Sequence, residues 1–255
     1  MLKAKKELGQ NFLINKGIIS KISNLIIRNS KSSDCLIEVG PGQGAITKQL
    51  LEADIHLTCI EIDPRMVDFL NENFSSSNLN LIQSDVLKLD LHSKFSKFKN
   101  ICVFGNLPYY IGTEILFKFL EQLPNVNKFG FMFQREVSAK IRANPNDKNY
   151  SNLSVVFQSL LIVQTYFKIS PGSFTPIPKI DSEFIMLERR SKGLFKAFED
   201  YFNFKKFVKQ AFSNRRKILR NNLKLPSSHP MANKRPQELS VEEFIDLFYQ
   251  SFEVG

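Results

Sequence analysis

A mostly parallel α/β sheet with helices on both faces, followed by a small all-helical unit, is the fold class that this sequence predicts. Three observations carry it. Short apolar runs at 35–39, 56–62, 79–83, 101–104 and 128–133 alternate with helical stretches such as 45–51, 65–73 and 113–122. Such alternation makes parallel neighbours joined by right-handed crossovers, a doubly wound sheet. The first run, Leu36-Ile37-Glu38-Val39, ends in Gly40-Pro41-Gly42-Gln43-Gly44, a glycine turn of the kind that lets backbone approach a ligand where a strand gives way to a helix. From about residue 191 the texture changes to helix without strand. The expected division is therefore an α/β domain over 1–190 and a small all-α C-terminal domain over 191–255.

The elements follow in order. Ile18, Ile19, Ile22, Leu25 and Ile26 recur at helical spacing over 17–29. The five strand-like runs and their intervening helices come next. Residues 144–151 are rich in turn formers, and a helix is expected over 153–161. Runs at 163–169 and 183–187 read as two further strands at a sheet edge, separated by a loop that Pro171, Pro176 and Pro178 hold extended. Phe195, Phe198, Phe202, Phe207 and Phe212 then recur with basic residues between them. Ser240-Val241-Glu242-Glu243 reads as a capping box opening a last helix through Phe248.

Bulk properties bound the function. The chain has 255 residues, of which 43% are hydrophobic, enough for one sizeable core plus an appended unit. No apolar run approaches a membrane span, and the basic start, Met1-Leu2-Lys3-Ala4-Lys5-Lys6, has no signal-peptide core behind it. A cytoplasmic protein is expected. Cys35, Cys59 and Cys102 each lie in or beside a strand-like run, with no CxxC spacing and with three scattered histidines. They read as small buried hydrophobes in a reducing compartment, and no metal site is expected. The formal net charge of +10 favours a polyanion, with nucleic acid the common one.

The glycine turn alone is shared by many dinucleotide folds, and two acidic residues sharpen it. Glu61 lies 21 positions after Gly40, at the end of the next strand, where a carboxylate accepts from both hydroxyls of a ribose. Asp85 ends the third strand and is placed to accept from the exocyclic amine of an adenine; a plain turn residue is its other reading. Asp63-Pro64 reads as a helix start, which leaves Asp63 as a cap. Gly40, Gly42, Glu61 and Asp85 together suit an adenosyl-methionine pocket better than a nicotinamide dinucleotide one.

Asn106-Leu107-Pro108-Tyr109 follows the fourth strand. An adenine N6 amine is a poor nucleophile because its lone pair is delocalised into the ring. What helps is a pair of acceptors that hold the N–H bonds and favour a localised lone pair. The Asn106 side-chain oxygen and the Leu107 carbonyl are suited to this, Pro108 sets the turn, and Tyr109 offers a ring for stacking. Proximity to a methyl donor then supplies most of the rate. A base in structured RNA or DNA must be flipped or lie in a loop to reach such a site. Arg215, Arg216, Lys217 and Arg220 form a basic cluster, expected on a helix and read as contacts to RNA phosphate.

The sequence resembles the small-subunit ribosomal RNA adenine dimethyltransferases over nearly its whole length. The motifs are Leu8-Gly9-Gln10-Asn11-Phe12-Leu13, the glycine turn with Glu38-Val39 before it, Asn106-Leu107-Pro108-Tyr109, Gln134-Arg135-Glu136-Val137, the loop Phe174–Ser182, Asn214-Arg215-Arg216-Lys217 and Arg235–Ser240. The first motif and the Phe174–Ser182 loop are the specific ones. The resemblance implies a Rossmann-like class I S-adenosylmethionine-dependent methyltransferase domain over 1–190 and a helical C-terminal rRNA-recognition domain over 191–255. It also implies N6,N6-dimethylation of two adjacent adenosines in a hairpin loop near the 3′ end of small-subunit rRNA, on a late 30S assembly particle. By matching position it adds Asn11, Leu13 and Asn106 to the cofactor contacts. A monomer is expected. Competing readings are a large-subunit rRNA adenine N6-methyltransferase, a protein-glutamine methyltransferase, and an RNA-binding assembly factor whose turnover is incidental.

Overall fold

Over residues 2–74 and 76–253, which the computed structural model describes (side chains of 252 and 253 excepted), the chain runs through β1 (Phe12–Leu13), α1 (Lys16–Ser30), β2 (Cys35–Val39), α2 (Ala45–Glu52), β3 (Leu57–Glu61), α3 (Pro64–Asn73), β4 (Leu79–Gln83), α4 (Leu91–Phe95), β5 (Ile101–Asn106), α5 (Gly112–Gln122) and β6 (Val126–Gln134). It continues through α6 (Arg135–Ile141), α7 (Asn152–Leu160), β7 (Leu161–Ile169), β8 (Phe174–Thr175), β9 (Ser182–Arg189), α8 (Asp200–Ala211), α9 (Leu219–Leu223) and α10 (Val241–Glu253). These elements divide into two units. One comprises Met1–Arg135 and Gln164–Glu188; the other comprises Glu136–Val163 and Arg189–Gly255. The division is not a single cut near 190: α6 and α7 group with the C-terminal helices rather than with the sheet. Local pattern cannot reveal this, because which neighbours a helix packs on is a long-range property.

The first unit is built on a seven-stranded sheet in the order β4-β3-β2-β5-β6-β9-β7. The strands from β4 to β6 are parallel, and β9 runs antiparallel to β6. Every position of β2 is buried, as expected of a central parallel strand covered on both faces. Cys35, Cys59 and Cys102 are all buried, as read from the sequence. Helix α1 turns Ile19, Ile22 and Ile26 inward, and Asn15 caps it by accepting from the Ile18 N–H at 3.1 Å. Asp63 caps α3 with Pro64 in its first turn, as expected. The short α4, capped by Asp90, was not legible in its five residues.

One pairing joins distant parts of the chain. Phe12 and Leu13 of β1 pair antiparallel with Thr175 and Phe174 of β8, so the two most specific sequence motifs form one small sheet.

In the second unit aromatic side chains make much of the core. Tyr201, Phe204 and Val208 are the buried face of α8. Phe204 and Phe207 both pack edge-on against Phe248, and Phe212 stacks on Phe244 with ring centroids 5.7 Å apart. The capping box is present: Ser240 Oγ accepts from the Glu243 N–H at 3.1 Å, and the Glu243 carboxylate accepts from the Ser240 N–H at 2.8 Å. One expectation is corrected. Arg215, Arg216 and Lys217 lie in the turn after α8 rather than on a helix, and only Arg220 is helical. The buried Asn222 side chain donates to the carbonyls of Ala211 (2.6 Å) and Asn214 (3.0 Å), and Asn214 Oδ1 accepts from the Arg216 N–H. These bonds offer the backbone an alternative to continuing the helix.

Candidate active site

Ligands of open α/β sheets sit beyond the carboxyl ends of the strands, where the strand order reverses. Here the reversal lies between β2 and β5. The two strands run side by side in register, Glu38 beside Phe104, and Gly105 comes so close to Val39 that a Cβ on it would stand 2.3 Å from the Val39 carbonyl oxygen. The glycine turn and Asn106 are thereby brought to the same rim. Beyond them lies a cavity of about 660 Å³, lined among others by Asn11, Leu13, Gly40, Gly42, Glu61 and Asp85. Asn106, Leu107, Pro108 and Tyr109 line it too. All of these residues belong to the first unit.

Gly40 has φ +66° and nothing lies within 4 Å of where its Cβ would be, so a side chain there would project into the cavity. The buried Glu61 carboxylate accepts from the Gly42 N–H at 3.1 Å and from the Asp63 N–H at 2.9 Å. These bonds occupy two of its roughly four lone-pair sites, and the Ile62 backbone also faces it. Burial is the main cause that raises the Glu61 pKa. Asp85 keeps both readings in play: it lines the cavity, and its Oδ1 also accepts from the Leu87 N–H at 2.9 Å, closing a turn.

Asn106 Nδ2 donates to the Asn11 carbonyl at 2.8 Å. Only the NH2 group can face a carbonyl oxygen, so this bond orients the amide with Oδ1 as its remaining acceptor. The Tyr109 hydroxyl hydrogen-bonds the hydroxyl of Ser182, which is fully buried at the start of β9. Burial raises the Tyr109 pKa.

Several residues around this cavity were missed by sequence reasoning. Gln10 donates to the Asp63 carboxylate at 3.1 Å and also accepts from the Lys5 N–H, so the N-terminal segment is laid across the end of β3. Arg65 pairs with Asp63 and holds its carboxyl down at about 2. Phe12 packs over the glycine turn, 3.1 Å from where a Gly42 Cβ would stand. The signal that was available is the joint presence of the opening motif and the glycine turn, but nothing in spacing alone says that they touch.

Glu38 is the other buried acid. Thr47 donates to it at 2.6 Å, with the Cys59 thiol at 3.8 Å. Burial dominates and pushes its pKa up to about 7. The folded value lies above the unfolded one, so this group's stabilisation is complete below about pH 4.5 and is lost as pH rises through about 7. The thermal midpoint is expected to fall between pH 5 and pH 8, and Glu38→Gln should flatten that fall. An equally steep fall in the variant would overturn the assignment.

The basic residues of the second unit separate. Arg215 donates to the Lys148 carbonyl at 2.8 Å and the Asp147 carbonyl at 3.1 Å, and so secures the 144–149 loop. Arg216, Lys217 and Arg220 are exposed. Arg215 thus has a structural role beside the phosphate contact expected of it, since these two bonds use two of the five donors of its guanidinium.

A family model described as "Ribosomal RNA adenine dimethylase" matches residues 1–249. A protein of Mycoplasma capricolum named "Ribosomal RNA small subunit methyltransferase A" is 39% identical, with 97% of each chain covered. A protein of the same name from Pseudomonas syringae pv. tomato is 36% identical, covering 96% of this chain and 93% of its own. Among solved structures, a dimethyladenosine transferase from Plasmodium falciparum superposes with a TM-score of 0.77 at 25% identity, over 95% of this chain and 98% of that one. The 23S rRNA methyltransferase ErmE shares the fold, with a TM-score of 0.69 at 20% identity, over 94% of this chain and 99% of that one.

Proposed function

This chain belongs to the ribosomal RNA adenine dimethylase family, and from that premise we propose that it transfers methyl groups from S-adenosylmethionine to the N6 amines of two adjacent adenosines in the 3′-end hairpin of small-subunit rRNA. It would act as a monomer on a late 30S particle, in the cytoplasm. The observation that carries the reading is the orientation of Asn106 by the Asn11 carbonyl, on the rim of the cavity that Gly40, Glu61 and Asp85 also line.

The cavity fits the cofactor. A substituent at Gly40 would occupy it, and the Glu61 carboxylate is buried against it. Glu61 would hold the ribose hydroxyls and Asp85 the adenine amine, with Gly40 and Gly42 giving backbone access. Asn11, Leu13 and Asn106 would close the near side. When bound, S-adenosylmethionine supplies an electrophilic methyl on sulfur.

The chain's own residues then position the target. Asn106 Oδ1 and the Leu107 carbonyl accept the two N6–H bonds of the adenine, which favours a lone pair localised on nitrogen. The amine proton becomes acidic as the C–N bond forms, so a strong general base is not required. Tyr109 presents a ring to the base. Alignment of amine and methyl supplies most of the rate. In the second transfer a single N–H remains, and the pocket must admit a methyl where the other acceptor contact had been.

Ser182 is expected to act through Tyr109. Ser182→Ala and Tyr109→Phe each remove one partner of a single hydrogen bond, a loss of about 1 kcal/mol, and so raise KM for the RNA by roughly 5-fold with a smaller change in kcat. The double variant should be no worse than either single one; additive losses would show that Ser182 acts independently of the ring.

Methyl transfer from labelled S-adenosylmethionine to small subunits isolated without this modification tests the function. N6,N6-dimethyladenosine in the 3′-end hairpin is the expected product. Label in large-subunit rRNA or in protein would overturn the substrate and leave the fold and cofactor standing.

A further inference from the structure

The second unit is where the charge lies. Glu136–Val163 and Arg189–Gly255 hold 17 lysines and arginines against 9 aspartates and glutamates, so +8 of the chain's net +10 falls on them. The cluster Arg216-Lys217-Arg220 uses only part of this surplus. A second concentration lies on α8, where Phe202, Lys206 and Lys209 are spaced to fall along one face. Lys206 and Lys209 are exposed, and neither has a carboxylate partner among the described residues. After Asp200 at its first position α8 carries no acidic residue, and α7 carries none at all.

Two further features lie with this stripe. A cavity of about 560 Å³ opens beside it, lined by Asn152, Lys206, Lys209, Gln210, Phe212 and Ser213. One turn before Lys206 stands Phe202, 40% exposed in a unit whose other α8 aromatics turn inward. One side of this ring packs edge-on against Phe198 and Tyr201, with centroids 5.7 and 5.6 Å away, which holds it in place while the rest stays exposed beside the unpaired cations. Together they match what an unpaired nucleic-acid strand needs, namely cations along its backbone and a flat apolar face for a base.

We propose that the Phe202–Lys206–Lys209 stripe of α8, with the cavity beside it, is a second RNA-contact site that takes an unpaired nucleotide segment. It rests on the reading of this chain as an rRNA methyltransferase. Lys206 and Lys209 hold successive phosphates and Phe202 stacks one base. The cavity, with amides from Asn152 and Gln210 at its wall, receives the next nucleotide. Such contacts fix register on the particle and do not touch the methylated base.

The test uses the full chain with two probes: small subunits isolated without the modification, and a short unstructured RNA oligonucleotide. Neutralising both lysines (Lys206→Ala with Lys209→Ala) should weaken binding of the oligonucleotide about 10-fold and lower its log–log salt slope by about 1.4, at about 0.7 per phosphate on a single strand. Phe202→Ala should weaken binding about 10-fold with the slope unchanged, and Phe202→Tyr should restore it. Thermal midpoints of the variants establish that they fold; a substitution that unfolds the chain is replaced by Lys206→Gln or Lys209→Gln singly, each expected to move the slope by about half as much. An unchanged slope in the lysine variants overturns the site. Loss of binding to the particle with oligonucleotide binding intact also overturns it, in favour of an acidic protein surface. If wild-type chain binds RNA with the expected slope but yields no dimethyladenosine on the particle, the enzymatic reading fails while the RNA site stands.

Discussion

Replacing Asn106 by alanine should reduce both methyl transfers by about 100-fold or more, the scale on which a single preorganised polar group in an active site acts. Two losses combine. The Oδ1 acceptor for the N6–H is gone, and so is the bond from Nδ2 to the Asn11 carbonyl that ties the end of β5 to the opening segment. Asn106→Asp separates them. It keeps an acceptor but sets a carboxylate oxygen against the Asn11 carbonyl, so activity between that of alanine and of the parent is expected. The informative measurement is single-turnover transfer with saturating cofactor, which removes any change in S-adenosylmethionine affinity. Both rates should fall together, because the second transfer still uses one N–H. Near-parental turnover in the alanine variant would sink the acceptor model.

A methyl group at Gly105 should be the most damaging single addition to the first unit. The Cβ of Gly105→Ala would meet the Val39 carbonyl oxygen at 2.3 Å and Leu107 at 3.2 Å. Real Cβ atoms do not approach backbone oxygen that closely, so β5 must move away from β2. Both strands are buried along their whole paired length, and neither can shift without opening the core. Overpacking of this kind destabilises by about 3 kcal/mol or more, which for a chain of this size is a fall of roughly 6–12 °C in Tm. Activity should fall further than stability does, since the shift also separates the glycine turn from Asn106. A thermal melt alongside single-turnover transfer at a temperature where the variant is folded distinguishes the two effects. A Tm within a degree or two of the parent's would mean that β2 and β5 are not locked together as described.

Much of the site was legible because its parts are local. A glycine turn after an apolar run, an acid at the end of the next strand and Asn-Leu-Pro-Tyr after a later one each declare themselves within a few residues. Strand alternation puts them all at carboxyl ends on one edge of the sheet, and the cavity is lined by all of them. The basic cluster shows where such reading stops. Its charges were visible, but the helix expected under Arg215–Lys217 is displaced by bonds from Asn222 and Asn214. Similarly, no spacing rule distinguishes Arg215, which holds two loop carbonyls, from Arg216, whose side chain holds none among the described residues.

The sequence by itself determined the strand order along the chain, the helix caps at Asp63 and Ser240, and which polar residues end the strands. All of these follow from short-range pattern and the chemistry of single side chains. Tertiary structure alone decided that β1 pairs with β8, that Asn11 orients Asn106, that Ser182 meets Tyr109 and that α6 and α7 group with the C-terminal helices. The reason is physical. These are contacts between residues about 40 to 160 positions apart, and closing such loops becomes favourable only when many burial and hydrogen-bond terms are satisfied together.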